Sequence, residues 1–212
     1  MHRIYYLALA AAFCANPGRA AAQAYWENGD FSFPAPNPGG FELVDTGERY
    51  GEWIAVGEAG NVSWVTGQYI HDGFSFVAPP RMKNWVNLAG ISRTATGIMH
   101  SPVPTVVGQP YTLTYYVGNI VDPKGFYGTS STINIYENSR LIMTATNGGG
   151  SGTATENWKP FTLTFTADAP WTSIAFINAD PPNDMNCGLG DPIFAPAAVT
   201  TQTKFGNKGG RP

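Results

Sequence analysis

Two stretches of this chain, QPYTLTYYVGN at 109–119 and WKPFTLTFTA at 158–167, alternate large apolar residues with threonine or another outward-facing residue. A period of two residues is typical of a β-strand with one buried and one solvated face. After residue 24 no stretch has the spacing of an amphipathic helix, so a second sheet is needed to cover the buried faces. The pattern predicts an all-β protein, a jelly-roll β-sandwich of two antiparallel sheets.

Strand candidates recur along the whole chain, each bounded by turn-forming residues, and they include the two stretches above. They lie at 25–33, 52–56, 62–65, 85–89, 97–101, 111–118, 132–136, 141–146, 161–166, 173–178 and 191–195. The strands 132–136 and 141–146 form a predicted hairpin in which Ile133 and Ile135 face inward. The segments 34–51 and 68–83 are predicted to be loops.

The N-terminus has the features of a secretory signal peptide. Arg3 precedes an apolar run at 4–15, and the small residues of AQA at 22–24 suit cleavage by a signal peptidase. A lipoprotein anchor at Cys14 is the alternative, but a bulky residue stands before it where a small one is expected. We therefore expect cleavage after Ala24 and a secreted protein, extracellular or periplasmic.

The predicted organisation is a signal peptide at 1–24, one β-sandwich domain at 25–199 and a disordered tail at 200–212. Cleavage would remove two of the 12 basic residues and none of the 15 acidic ones, leaving a net charge near −5. That balance disfavours nucleic acid as a partner, and no later apolar run is long enough to span a membrane. Cys187 would be the remaining cysteine, and burial as a small apolar residue is favoured over a reactive thiol.

Four local patterns occur in an order that resembles a known family. They are NGDF at 28–31, VNLAG at 86–90 with GI at 97–98, QPYTLTY at 109–115 with GN at 118–119, and FTLTFTA at 161–167. Together they resemble secreted proteins with a galactose-binding-domain-like jelly roll, above all the plant cell-wall domain of unknown function and its bacterial relatives. These proteins are similar to several families of carbohydrate-binding modules. The resemblance spans Trp26 to Pro196 and implies binding of a polysaccharide or glycan.

The resemblance also implies a structural calcium ion. Asp30 lies in the NGDF turn, and Asp191 stands where related domains carry an acidic ligand near the last strand. Ca²⁺ takes about 6 to 8 oxygen ligands, and these two carboxylates would be two of the metal ligands. Family members usually have Glu directly after the turn, where this chain has Ser32. Turn and capping roles for the two acids are the alternative.

Catalytic motifs are not evident in the sequence. Glycosidic hydrolysis usually needs two carboxylates held at a set separation, and no pair of acids is singled out. His100 and Ser101 are adjacent on a predicted strand, so their side chains point to opposite faces and cannot act together as base and nucleophile. We therefore expect a binding protein in preference to an enzyme.

Aromatic residues beside polar ones give the positive signal for function. Sugars have apolar C–H faces and a rim of hydroxyls, so their sites pair an exposed ring with amide or charged groups. The predicted ligand-binding residues are Trp85, Asn87, Tyr116, Phe126 and Tyr127. For a tryptophan taken alone, packing in the core is favoured over stacking on a ligand.

The sequence thus predicts a secreted, non-catalytic protein that binds cell-wall or extracellular polysaccharide. One alternative is an extracellular structural or adhesive protein that binds other proteins through the same sheet face. Another is a carbohydrate-active hydrolase or lyase whose acids come together from separate loops.

Overall fold

A computed structural model of the chain describes residues 26–36, 40–182 and 184–197, and the regular structure in these ranges is β-strand. The predicted signal peptide and the predicted tail lie outside the described residues. None of the described residues forms a helix that could cross a membrane. The strands are β1 Phe41–Asp45, β2 Arg49–Tyr50, β3 Trp53–Gly57, β4 Asn61–Thr66, β5 Gln68–His71, β6 Phe74–Val77, β7 Asn84–Asn87, β8 Thr96–His100, β9 Val103–Pro104, β10 Pro110–Asn119, β11 Ser131–Glu137, β12 Arg140–Asn147, β13 Asn157–Thr166, β14 Trp171–Thr172, β15 Ile174–Asn178 and β16 Gly188–Pro196.

Twelve of these strands form two six-stranded antiparallel sheets. The front sheet has the order β1-β4-β7-β16-β10-β13, and the back sheet has the order β12-β11-β15-β8-β3-β2. Neighbours within each sheet are mostly distant in sequence, and every ladder between them is antiparallel. The prediction of a jelly-roll β-sandwich is therefore confirmed.

The main core lies between the two sheets and is built by the predicted alternation. On β10, Leu113, Tyr115 and Val117 are buried in this core, while the residues between them are half-buried on the other face. The back sheet contributes Ile133 and Ile135 of the predicted hairpin, both fully buried. Since every second side chain of both sheets enters this layer, the core extends along the length of the sandwich.

The prediction of a strand at 25–33 is wrong for its described part. Residues from Trp26 onward form a turn, in which Asn28 and Phe31 have positive φ angles of 61° and 56°. The Asn28 side chain accepts a hydrogen bond from the Phe33 N–H at 2.8 Å, which closes the turn. Phe31 is fully buried against Trp53 and Trp64. The alternating apolar residues therefore cap the end of the core and do not extend a sheet.

A second hydrophobic cluster, here called the outer layer, lies on the outer face of the front sheet. Its buried members are Val65, Phe76, Trp85, Ile120 and Tyr127. The antiparallel pair β5–β6 supplies Phe76, and the loop after β10 supplies Ile120 and Tyr127. The front sheet is thus covered on both faces, by the back sheet on one and by a hairpin and a loop on the other.

Candidate functional site

A cavity of about 220 Å³, here called the aromatic cavity, lies within the outer layer. Its floor is the outer face of β4 and β7, where Ser63 and Val65 alternate with core-facing Trp64, and Trp85 alternates with core-facing Val86. Its walls come from the β5–β6 hairpin, the loop after β10 and the segment before β16. The rim and wall residues include Tyr69, His71, Phe76, Ile91, Phe126 and Met185.

A larger and more open depression of about 850 Å³, here called the charged cleft, lies beside the cavity. Phe126 lines both spaces, so its ring stands at the boundary between them. Phe126 as a residue is 38% exposed. Two acids and two bases surround the cleft, namely Asp72, Asp122, Arg93 and Lys124.

The two basic residues of the cleft have free hydrogen-bonding capacity. The Arg93 guanidinium lies 5.1 Å from the Phe126 ring centre and donates to the Met185 sulfur, a weak acceptor, at 2.8 Å. Across the described parts of the chain, neither Arg93 nor Lys124 has a carboxylate oxygen within 4.0 Å. Asp122 accepts a hydrogen bond from the Lys124 backbone N–H at 2.9 Å, which fixes the loop that carries Phe126.

His71 and Tyr127 join the hairpin to this loop. The Tyr127 hydroxyl lies 2.6 Å from His71 Nδ1, and Asp72 lies 3.8 Å from the same nitrogen. Burial, assisted by the charges of Asp72 and Asp122, raises the pKa of Tyr127 to about 12. The phenol therefore stays protonated at neutral pH.

The structure brings four of the five predicted ligand-binding residues to the aromatic cavity: Trp85, Asn87, Phe126 and Tyr127. Tyr116 is elsewhere; it is half-buried on the outer face of β10, opposite Pro160 and Gly190, and lines neither the cavity nor the cleft.

Trp85 is less exposed than a ring that stacks against a sugar needs to be. Trp85 is 1% exposed because Phe76 and Trp158 pack against it, so its ring is part of the floor and not an accessible plane. The Asn87 amide is also occupied: it donates to the Met185 carbonyl oxygen at 2.8 Å and accepts from the Ala89 and Cys187 N–H groups. Asn87 thus positions the cavity wall.

The predicted metal ligands Asp30 and Asp191 line one shallow cavity of about 380 Å³ at the N-terminal turn. Burial, together with the Asp30 charge, raises the pKa of Asp191. The Pro192 carbonyl oxygen lies against Gly29 in the same place. No group of three His, Cys, Asp or Glu side chains in the described ranges could hold a metal ion. The two acids fit a calcium site only if backbone carbonyls and water supply most ligands, and calcium remains a prediction.

Cys187 and His100 carry reactive side chains, but both are buried. Cys187 is fully buried, and burial raises the pKa of its thiol well above the usual value. His100 is buried in a stack on Trp26, and its two ring nitrogens lie 2.7 Å and 3.1 Å from the carbonyl oxygens of Ser101 and Glu27. The imidazole therefore anchors the N-terminal turn.

Several residues of the site were absent from the sequence prediction. Asp72 and Gly73 form the two-residue turn between β5 and β6, with φ angles of 50° and 83°. An Asp-Gly pair between alternating apolar residues is a strong hairpin signal, and it is present in QYIHDGFSFV. Arg93 and Met185 carry no local signal, because they reach the site from segments far apart in the chain.

No protein-family model matches the chain, and no curated protein matches it. The resemblance to the plant cell-wall domain therefore stays a prediction.

Solved structures similar to this chain have low sequence identity. A cyclase from Fischerella sp. TAU is 18% identical, with a TM-score of 0.54, over 85% of this chain and 100% of that one. The K1 cleaved adhesin domain of Lys-gingipain from Porphyromonas gingivalis W83 is 14% identical, with a TM-score of 0.50, over 75% and 98%. A xylan-binding domain from CBM 22 is 17% identical, with a TM-score of 0.45, over 77% and 99%. The first two likenesses show a shared fold.

Proposed function

We propose that this chain is a secreted, non-catalytic carbohydrate-binding protein that holds its ligand in the charged cleft. The observation that carries the proposal is the position of Phe126, whose exposed ring stands at one side of a cleft lined by four charged side chains. Secretion rests on the signal-like N-terminal sequence.

Phe126 supplies the apolar half of sugar recognition. The C–H face of a pyranose buries apolar area when it packs on an aromatic ring. Arg93 lies over this ring at 5.1 Å, and the Asp122–Lys124 hydrogen bond fixes the loop next to it. The ring is therefore held in place before a ligand arrives, which lowers the entropic cost of binding.

The charged residues supply the polar half. A sugar hydroxyl both donates and accepts hydrogen bonds, so its rim needs acceptors and donors together. Asp72 and Asp122 are acceptors, whereas Arg93 and Lys124 are donors without a carboxylate partner in the described residues. The cleft volume of about 850 Å³ lies within the range of known small-ligand sites, about 300–1,000 Å³.

Binding without bond cleavage is the form of the proposal that fits these acids best. Glycosidic hydrolysis needs two carboxylates held at a set separation. The Asp72 side chain is 79% exposed to water and accepts no hydrogen bond from the described residues, so nothing there holds it at a set distance from Asp122.

The test is retention of the purified protein on a panel of insoluble polysaccharides, followed by a binding isotherm on any that retain it. We expect Phe126→Ala to weaken binding about tenfold, since stacking contributes about 1.5 kcal/mol. The matched control is Phe33→Ala, because Phe33 is 69% exposed and lies outside the cleft. Tyr116→Ala should bind like the unmodified chain.

Three outcomes would contradict the proposal. The chain could be retained on none of the polysaccharides, Phe126→Ala could bind as tightly as the unmodified chain, or Phe33→Ala could lose as much affinity as Phe126→Ala. Release of reducing ends or unsaturated products from a retained polysaccharide would replace binding with catalysis.

A further inference from the structure

We propose that the aromatic cavity is a second binding site, separate from the charged cleft, which takes a small planar aromatic molecule of one or two rings. The proposal goes beyond carbohydrate binding, because it assigns a different ligand class to a different space. It rests on the size of the cavity, the chemistry of its lining and the bonds that hold it open.

The volume of the cavity sets the size of the guest. An apolar protein cavity of about 150 Å³ is enough to bind benzene. The aromatic cavity measures about 220 Å³, so it has room for a single substituted ring or a two-ring system. It is below the range of about 300–1,000 Å³ that is usual for larger ligands. A chain of sugar residues would not fit inside.

The lining of the cavity favours an aromatic guest over a sugar. Most of the walls are apolar side chains, and these include the rings of Tyr69, Phe76, Trp85 and Tyr127. Ring faces and edges pack well against another planar ring, and this stabilises the pair beyond the effect of the buried area.

Polar groups inside the cavity are too few for a sugar. The Asn87 amide already makes three hydrogen bonds to backbone groups, and the Tyr127 hydroxyl is bonded to His71. Ser63 also lines the cavity, and its hydroxyl makes no hydrogen bond within the described ranges. A monosaccharide would leave most of its hydroxyls unpaired, and each unpaired buried hydroxyl weakens binding. A guest with one hydroxyl would leave no hydroxyl unpaired.

Hydrogen bonds on both sides hold the cavity open. The His71–Tyr127 bond of 2.6 Å ties the hairpin to the loop after β10. At the other end of the hairpin, Trp158 Nε1–H donates to the Val77 carbonyl oxygen at 2.8 Å. With these anchors the hairpin cannot settle onto the front sheet, and the cavity stays formed without a guest. Ile91, which is 51% exposed, lies at the rim and marks the way in.

The test is calorimetric titration of the full mature chain with phenol and 2-naphthol, and with glucose as a polar probe. We expect saturable one-site binding of both aromatic probes, tighter for 2-naphthol, and no displacement of 2-naphthol by excess glucose. Ile91→Trp should close the rim and lower the affinity for 2-naphthol at least about tenfold. Ile70→Trp is the matched control, because Ile70 is 64% exposed on β5 and does not line the cavity; its effect should be below about twofold.

The proposal fails if neither aromatic probe binds saturably at millimolar concentration, if glucose displaces 2-naphthol, or if Ile91→Trp binds 2-naphthol as well as Ile70→Trp does. Circular dichroism of both variants checks that they are folded, and the probe series on the unmodified chain decides the matter if Ile91→Trp does not fold. Polysaccharide retention of the same two variants is measured separately. The two proposals fail independently. Failure to bind a polysaccharide would not exclude the aromatic site, and failure to bind the aromatic probes would not exclude carbohydrate binding.

Discussion

The two faces of the front sheet are covered in different ways, and the difference separates stability from function. Its inner face packs against a whole sheet, and large side chains such as Trp53 and Phe176 are fully buried there. Its outer face is covered only by a two-stranded hairpin and a loop, and this layer contains the aromatic cavity. A sheet that meets another sheet can fill every space, whereas a short hairpin leaves room for a ligand.

The sharpest test of this comparison is a pair of tryptophan truncations. Trp53→Ala removes a fully buried ring that contacts Trp26, Phe31 and His100 in the main core. We expect a loss of about 3–5 kcal/mol in the free energy of unfolding, measured by urea denaturation.

The matched variant is Trp85→Ala in the outer layer. The ring borders an existing cavity and its Nε1–H has no hydrogen-bond partner among the described residues, so it has fewer contacts to lose. We expect a loss of about 2–3 kcal/mol. Equal losses at the two positions would show that the outer layer is packed as tightly as the core and would end the comparison.

The next largest expected effect is a pH dependence of the free energy of unfolding. It arises from Glu156, on the outer face of the front sheet. The Glu156 carboxyl group lies beside Trp158, in space left by the missing side chains of Gly118 and Gly188. It accepts one hydrogen bond, from Asn186 Nδ2 at 2.9 Å, and its other oxygen has no partner among the described residues. Burial raises the pKa of Glu156 to about 8, despite this hydrogen bond.

The sign of the pH dependence follows from proton binding. Between pH 4.5 and about 8 the folded chain keeps the Glu156 proton, which the unfolded chain has lost. Stability is therefore greatest below the unfolded pKa and falls as the pH rises through this window, by several kcal/mol. Urea denaturation at a series of pH values measures it.

The variant Glu156→Gln isolates this contribution. Burial also raises the pKa of Asp180, to about 7, so that group adds a decline of the same sign. We expect Glu156→Gln to reduce the pH dependence and not to abolish it. A variant whose stability changes with pH as steeply as that of the unmodified chain would show that Glu156 is ionised in the folded protein.

The main core was predictable because its signal is local and repeated. The alternation at 109–119 and 158–167 corresponds to β10 and β13, and the two strands pair directly along their length. The prediction of a strand at the N-terminal turn was wrong for the opposite reason. The apolar residues there alternate as in a strand, but Asn28 and Phe31 adopt positive φ angles.

The outer layer was less predictable because its parts meet only in three dimensions. The sequence predicts Phe126 and Tyr127 as surface rings, but it predicts a loop at 68–83, where the structure has the β5–β6 hairpin. Ile91, Arg93 and Met185 reach the site from connecting segments without any periodic pattern. Tyr116 faces outward as its strand predicts, yet it lines neither the cavity nor the cleft, and alternation alone could not distinguish these positions.

Calcium binding at the N-terminal turn would add to the stability of the main core without changing the outer layer. If Asp30 and Asp191 are ligands, Ca²⁺ at ten times its dissociation constant should stabilise the chain by about 1.4 kcal/mol. Thermal unfolding with and without Ca²⁺ measures this. Asp191→Asn should lose the response, whereas the exposed control Asp45→Asn should keep it. An unmodified chain that does not respond to millimolar Ca²⁺ would exclude the site.

The smallest expected effect compares one hydroxyl from each layer. Tyr127→Phe removes the 2.6 Å bond to His71 that ties the hairpin to the loop, and we expect a loss of about 1 kcal/mol in the free energy of unfolding. Tyr115→Phe removes a hydroxyl whose acceptor is the Met143 sulfur at 3.5 Å, so its loss should be below about 0.5 kcal/mol. Hydrogen exchange of the β5–β6 amides adds a second measurement, since only Tyr127→Phe should speed it. If Tyr115→Phe costs as much stability, or if the hairpin amides exchange unchanged in Tyr127→Phe, the bond does not hold the cavity open and the outer layer is fixed by its apolar contacts alone.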